Sequence, residues 1–117
     1  MFRFETLDVW KEGIRITREL LTIADDLEKR KLFRFAEQLR GAAMSITNNI
    51  AEGSGSYHEK EFSNFLNISR RSIFECFNIL FILFDCELIS QFQLDVFRKD
   101  LDLLSKKITH FRKSLTA

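Results

Sequence analysis

The chain contains no proline and only four glycines in 117 residues. With so few residues that break helices, we expect a small number of long helices joined by short turns. Cysteine is also scarce, and Cys76 and Cys86 lie ten positions apart in one apolar segment, where a helix keeps them from bridging each other. We expect both to be buried thiols of a protein that works in a reducing cytoplasm.

The chain also lacks an excess of charge of one sign, because 18 basic residues balance 17 acidic ones and leave a formal net charge of +1. No global field therefore favours binding to nucleic acid or to a membrane. Local charge is uneven, since residues 5–28 hold seven acids against three bases, and the residues from Val96 onward hold six bases against two acids. Any charge-driven binding must come from one part of the chain.

Four amphipathic segments predict four helices. We place them at about residues 6–27, 33–52, 57–86 and 91–115 of a single domain that spans residues 1–117. Ser56–Glu59 and Ser90–Gln93 have the Ser-x-x-Glu/Gln spacing of capping boxes, which would open helices three and four. Four such helices with short loops favour an all-α fold, an antiparallel up-down-up-down four-helix bundle.

Helix three carries the most apolar run of the chain, from Ile73 to Phe84, which is hydrophobic on nearly every side. The run is short and is interrupted by Glu75 and Asn78, so it is not expected to span a bilayer. A bundle covers only one side of each of its helices, and the other side of this run is therefore expected to meet a second subunit. The sequence thus predicts a homo-oligomer.

Helix two has a narrow face of small and polar side chains beside an apolar face. The apolar face consists of Leu39, Ala43, Ile46 and Ile50, which we expect in the core, and Gly53 is expected to cap the C-terminal end of the helix. Folding helix two onto helix three about the Gly53–Ser56 turn places Ser45 near Phe65 and lets Arg40 pair with Glu75. We interpret the polar side chains of both helices as a structural network that fixes helix register or a subunit interface. Its members are Arg40, Ser45, Asn49, Glu52, Ser72 and Glu75.

Two chemical alternatives are weaker. Ser45, Glu52 and Glu75 are residue types of a hydrolase, but no histidine accompanies them on helix two and no strand-turn-helix elbow exposes Ser45. His58 and Glu61 have the spacing of half a di-metal site, which needs that motif twice and further carboxylates. We therefore assign no catalytic residue, no metal ligand and no cofactor.

Helix four pairs an apolar seam with a charged face. The basic residues of that face are candidate contacts to the phosphates of RNA or DNA, and a ring of subunits would repeat their charge. They are Arg98, Lys99, Lys106, Lys107, Arg112 and Lys113. The alternative is an ordinary solvated face with pairs along the helix, such as Asp102–Lys106.

Three segments of the chain resemble a known family, the four-helix-bundle proteins encoded in intervening sequences of bacterial 23S ribosomal RNA genes. The matching segments are Phe4–Lys11, Gln38–Gly53 and Glu61–Glu75. The most specific part is Ser-Ile-x-x-Asn-Ile-Ala-Glu-Gly at residues 45–53. Ser69 and Arg71 depart from the alanine and glycine that are usual in the family, and residues 28–36 lack its proline or glycine.

The resemblance implies a four-helix bundle that assembles as a ring-shaped homopentamer. It also implies kinship with the accessory protein of diversity-generating retroelements, a similar pentamer that binds nucleic acid and its partner reverse transcriptase. For the ribosomal-gene branch itself, the resemblance implies no established biochemical activity.

These observations predict a non-enzymatic homo-oligomer that acts as a binding or scaffold module, with RNA or DNA as a candidate partner of helix four. The alternative is an adaptor that binds a protein partner through the apolar face of helix three or through a ring pore, with no role in nucleic-acid binding. Neither function requires a cofactor or a membrane.

Overall fold

The computed structural model describes residues 1–116, and within them it contains helices and no strand. A short 3-10 helix at Arg3–Thr6 precedes four α-helices, which confirms the prediction of an all-α chain with four helices. The α-helices are α1 (Asp8–Lys29), α2 (Phe33–Ser54), α3 (Glu59–Asp85) and α4 (Gln91–Thr116). The whole molecule measures 44 × 22 × 19 Å, so its length is close to that of one helix such as α3.

Consecutive helices run antiparallel, because residues late in one helix contact residues early in the next. Between α1 and α2 the contacting pairs are Thr17–Ala43 and Asp25–Arg40. Between α2 and α3 they are Ile46–Ser69 and Gly53–Phe62. Between α3 and α4 they are Ser63–Arg112 and Phe77–Arg98. Two ion pairs, Asp8–Lys107 at 3.8 Å and Arg15–Asp100 at 3.5 Å, join α1 to α4.

The core lies along one stripe of each helix, where buried residues recur every three or four positions. In α2, Leu39, Ala43, Ile46 and Ile50 are completely buried, as the sequence predicts. In α4 the same spacing buries Phe97, Leu101, Leu104 and Ile108. The apolar periodicity of the sequence therefore determines which side of each helix faces inward.

Gly53 serves packing and not capping, so its predicted role is wrong. It lies inside α2, which continues to Ser54 with Gly55 as its C-cap. A Cβ at Gly53 would lie 2.6 Å from Cβ of Phe65 and 2.8 Å from Cδ1 of Phe62. The missing side chain lets the start of α3 approach the end of α2 closely.

The two predicted capping boxes differ in outcome. At Ser90, the backbone N–H donates to Oε1 of Gln93 at 2.8 Å and Oγ accepts from the N–H of Gln93 at 3.1 Å, which confirms the second box. The prediction of a first box at Ser56–Glu59 is wrong, because Ser56 still belongs to the turn after α2, where its N–H donates to the carbonyl of Gly53. His58 is extended and is the N-cap of α3, so the helix begins only at Glu59.

No helix within residues 1–116 is both long enough and apolar enough to cross a membrane.

Candidate functional site

One side of the apolar run in α3 stays uncovered within the chain. The side chains of Phe74, Phe81 and Ile82 are 58%, 46% and 41% exposed, whereas Leu80 and Leu83 on the opposite side are completely buried. Large apolar side chains that follow one another along a helix surface mark a binding face more often than single exposed ones do.

Phe74 and Phe81 belong to a surface between α3 and α4 that also carries positive charge. We call it the aromatic face, and it consists of Arg70, Phe74, Phe77, Phe81, Arg98 and Lys99. The guanidinium of Arg70 lies 5.0 Å from the ring centre of Phe74, and that of Arg98 lies 4.9 Å from the ring centre of Phe77. Both distances are typical of cation–π contacts. Between the two helices runs an open groove of about 670 Å³.

A second surface lies on the other flank of α3, beside α2. We call it the α2–α3 face, and it consists of Gly41, Ser45, Glu52, Ile68, Glu75 and Ile82. Ile68, Glu75 and Ile82 are spaced seven apart, which puts them on one line of the helix, and all three are exposed. On α2, a shallow hollow of about 550 Å³ lies around Gly41, Ser45 and Glu52.

Three members of the predicted polar network meet at this second surface. The hydroxyls of Ser45 and Ser72 are 2.7 Å apart. The side-chain amide of Asn49 donates to the carbonyl of Ser45 at 2.8 Å and to its hydroxyl at 2.9 Å. The Ser45–Ser72 bond joins α2 to α3 beside the hollow, and the two Asn49 bonds lie within α2.

Arg40 does not join this network, and the expected Arg40–Glu75 pair is wrong. Its guanidinium donates to Asp25 at 2.8 Å, to Glu28 at 3.1 Å and to Glu37 at 2.9 Å. Hydrogen bonds to these carboxylates, the one to Asp25 above all, raise the pKa of Arg40 above its ordinary value. Arg40 therefore ties α2 to α1, while Glu75 is exposed on α3.

The physical reason is the side of α2 on which Arg40 lies. It precedes Ser45 by five residues, which turns it by about 140° from the side that faces α3 toward α1. The register differs from the prediction as well, since Ser45 lies opposite Ser72 and not opposite Phe65, a shift of two helical turns. Glu52, the remaining member, is exposed and lines the hollow. Within residues 1–116, neither Glu52 nor Glu75 lies within ion-pair distance of a basic group.

The six bases of α4 do not share one face. Arg112 points toward α3, where it donates to the carbonyl of Ser63 at 3.0 Å and to Oδ1 of Asn67 at 3.3 Å. Arg98 stacks on the aromatic face, and Lys107 points toward α1, where it lies 3.8 Å from a carboxylate oxygen of Asp8.

The other three bases, Lys99, Lys106 and Lys113, recur every seven residues and lie on one exposed line of α4. Lys106 pairs with Asp102 at 2.9 Å, which is the intrahelical pair expected of a solvated face. Half of the predicted phosphate contacts are thus placed together.

The nucleophilic and metal-binding residue types are dispersed. Within residues 1–116, no three or more His, Cys, Asp or Glu side chains lie close enough together to hold a metal ion. Cys76 is buried as predicted, and burial, with a smaller effect of Glu75, raises the pKa of its thiol to about 12. Cys86 is exposed, contrary to prediction, because it is the C-cap residue that follows α3.

Sequence reasoning missed Gly41, Arg70 and the line of Ile68 and Ile82. Gly41 gives the clearest signal, because it is an exposed glycine in the middle of a helix and a Cβ there would meet nothing within 4 Å. Its absence of a side chain has no explanation inside the chain, unlike that of Gly53.

Comparison with known protein families matches residues 5–110 to the family described as 23S rRNA-intervening sequence protein. No curated protein matches the chain.

Proposed function

Since the chain belongs to the family of 23S rRNA-intervening sequence proteins, we propose that it is a non-enzymatic homo-oligomeric scaffold whose subunits join through the exposed side of α3. The observation that carries this proposal is the exposure of three large apolar side chains on α3, Phe74, Phe81 and Ile82. Five copies is the number that the family resemblance implies.

We propose no catalytic activity, because the Ser45 hydroxyl is held in hydrogen bonds and the Cys76 thiol is buried. The hydroxyl of Ser45 is committed to Ser72 and Asn49, and no histidine contacts it. The thiol of Cys76, with its raised pKa, stays protonated at neutral pH and is a poor nucleophile. Both cysteines are free thiols, which supports a reducing compartment such as the cytoplasm.

The energy of the proposed interface limits how it can be built. Burying a fully exposed side chain such as phenylalanine stabilises a complex by about 1.5–3 kcal/mol. Phe74, Phe81 and Ile82 are each already about half covered within one chain, so they contribute less. Association costs roughly 4–15 kcal/mol, so three side chains alone do not hold two subunits together. The interface must therefore bury further side chains beside these three.

The test is a double change in one chain, Phe74→Glu with Phe81→Glu. We expect the mass in solution, measured by light scattering behind a sizing column, to fall to that of one chain, because the interface would lose two apolar rings and would have to bury two charged carboxylates instead. Leu103→Glu is the matched control, since Leu103 is 50% exposed in the middle of α4 and faces away from α3. Loss of assembly in the control, or assembly of the double variant, would contradict the proposal.

A second role, contact with RNA or DNA, is favoured by the line of Lys99, Lys106 and Lys113. Repeated around an oligomer, this line would present many cations at regular distances to a phosphate backbone. Its binding would weaken linearly with the logarithm of salt concentration.

Reversing the two charges of this line that lie outside the aromatic face (Lys106→Glu, Lys113→Glu) should abolish a salt-dependent gel shift with a single-stranded RNA or a DNA duplex. Reversing an exposed base of α1, Lys11→Glu, is the control and should leave the shift unchanged. If the double variant binds as tightly as the unaltered protein, α4 is not the contact. An oligomer that binds neither nucleic acid would favour the adaptor, in which the same protein takes a protein partner.

A further inference from the structure

The two faces of α3 differ in shape and charge, and from this we propose that the subunits join head to tail. The aromatic face of one copy docks on the α2–α3 face of the next copy. This inference rests on the proposed homo-oligomer and adds which surfaces meet.

Both faces expose apolar side chains, and contact between the two unlike faces covers both. A twofold contact of the aromatic face with itself would bury Phe74 and Phe81 but leave Ile68 and Ile82 in water. A head-to-tail contact buries both faces in every subunit, and repetition of the same contact gives a closed ring or a filament.

Charge favours the same arrangement. Within residues 1–116, Arg70 and Lys99 on the aromatic face have no carboxylate within 4.0 Å, and Glu52 and Glu75 on the α2–α3 face have no basic partner. Docking one face on the other brings these unpaired groups of opposite sign together, whereas a twofold contact of the aromatic face would bring cations together.

The remaining charges near the contact are mostly compensated within the chain. Asp95 lies 3.9 Å from Arg98, and Asp102 lies 2.9 Å from Lys106. Arg71 is exposed on α3 between the two faces. Asp85, four residues after Phe81, and Arg34, seven residues before Gly41, are also exposed and have no ion-pair partner within residues 1–116. The inferred attraction therefore concerns Arg70 and Lys99 with Glu52 and Glu75.

Gly41 supplies the space for a close approach. A Cβ at Gly13 would lie 2.9 Å from Cγ2 of Thr47, so that glycine is explained by the contact of α1 with α2. A Cβ at Gly41 would meet nothing within 4 Å, although glycine inside a helix costs about 1 kcal/mol relative to alanine. A neighbouring subunit whose phenylalanines lie in the hollow at Gly41 accounts for this glycine.

The test uses two variants that each lose one face. Gly41→Trp with Glu75→Arg fills the hollow and reverses the charge of the α2–α3 face, and Phe74→Glu with Phe81→Glu removes the aromatic face. We expect each variant alone to have the mass of one chain, 13.8 kDa. An equimolar mixture should give a dimer of two chains, because each variant supplies the face that the other has lost.

The outcomes separate this inference from the proposed function. If the unaltered protein is an oligomer but the mixture stays monomeric, or if Gly41→Trp with Glu75→Arg still assembles, the head-to-tail contact is wrong and the homo-oligomer stands. If the unaltered protein is a monomer, both are wrong. Circular dichroism and thermal melting verify that each variant is folded.

A second pair of variants changes only charge and avoids the risk of unfolding. Arg70→Glu with Lys99→Glu and Glu52→Lys with Glu75→Lys should each weaken assembly. Combining all four changes in one chain should restore it, because the signs are then exchanged between the faces. Failure to restore assembly would contradict the proposed pairing of charges.

Discussion

At the scale of single residues, two glycines of α2 illustrate opposite uses of a missing side chain. Gly53 is buried and lets Phe62 and Phe65 of α3 lie where its own Cβ would be. Gly41 is exposed and has open space around it. The first glycine is required by packing inside the chain, and the second is explained only by the contact between subunits that we propose.

This contrast predicts opposite effects of the same substitution. Gly53→Ala should lower the free energy of unfolding by about 1–3 kcal/mol, because the added methyl overpacks the contact with α3. Gly41→Ala should raise it by up to about 1 kcal/mol, because alanine favours the helix and meets no neighbour. Urea unfolding of both changes in the Phe74→Glu, Phe81→Glu background measures the effects without subunit assembly, and equal effects would contradict the packing described here.

At the scale of elements, α1 and α3 end without the glycine that usually closes a helix. Lys31 and Glu87 follow their last turns with φ of 64° and 61°, the left-handed region that costs a side chain about 1–2 kcal/mol. The N–H of Leu32 donates to the carbonyl of Leu27, and that of Leu88 to the carbonyl of Leu83. These are Schellman motifs, which satisfy the last carbonyls of both helices.

Replacing these residues by glycine should therefore stabilise the fold. Lys31→Gly relieves the strained φ, but glycine also has a greater entropy in the unfolded chain, which offsets part of this effect. We expect a net rise of roughly 0.5–1 kcal/mol in the free energy of unfolding. Thermal melting should show a rise of a few degrees. Lys31→Ala is the control, since it removes the same charge and keeps the strain, and an equal rise in that variant would contradict the explanation.

The number of helices and their buried stripes could be predicted from the sequence, because apolar periodicity is a local property of each segment. Their relation to one another could not. The register of α2 against α3 depends on how residues 55–58 cross between them, and the prediction missed it by two turns. The Arg40–Glu75 pair is wrong for a different reason, because Arg40 lies on the side of α2 that faces α1, where it meets Asp25. The direction of Arg112 likewise depends on the rotation of α4 about its axis, which brings this base against Ser63.

At the scale of the whole molecule, two ion pairs of opposite polarity join the first and last helices. Asp8 meets Lys107, and Arg15 meets Asp100, across the seam between α1 and α4. Large apolar side chains remain exposed on the two flanks of α3 and also on α4, at Phe92, Val96 and Leu103. The molecule is thus a bundle with a covered core and exposed apolar side chains on its surface, which agrees with the proposed subunit.

The most direct test of this account is the molar mass of the unaltered protein, measured by light scattering behind a sizing column at low and moderate salt. We predict a mass several times the 13.8 kDa of one chain, near five chains, that persists at moderate salt because the apolar contacts are not screened. A monodisperse species of one chain at both salt concentrations would contradict it, and the exposed side of α3 would then need a different explanation.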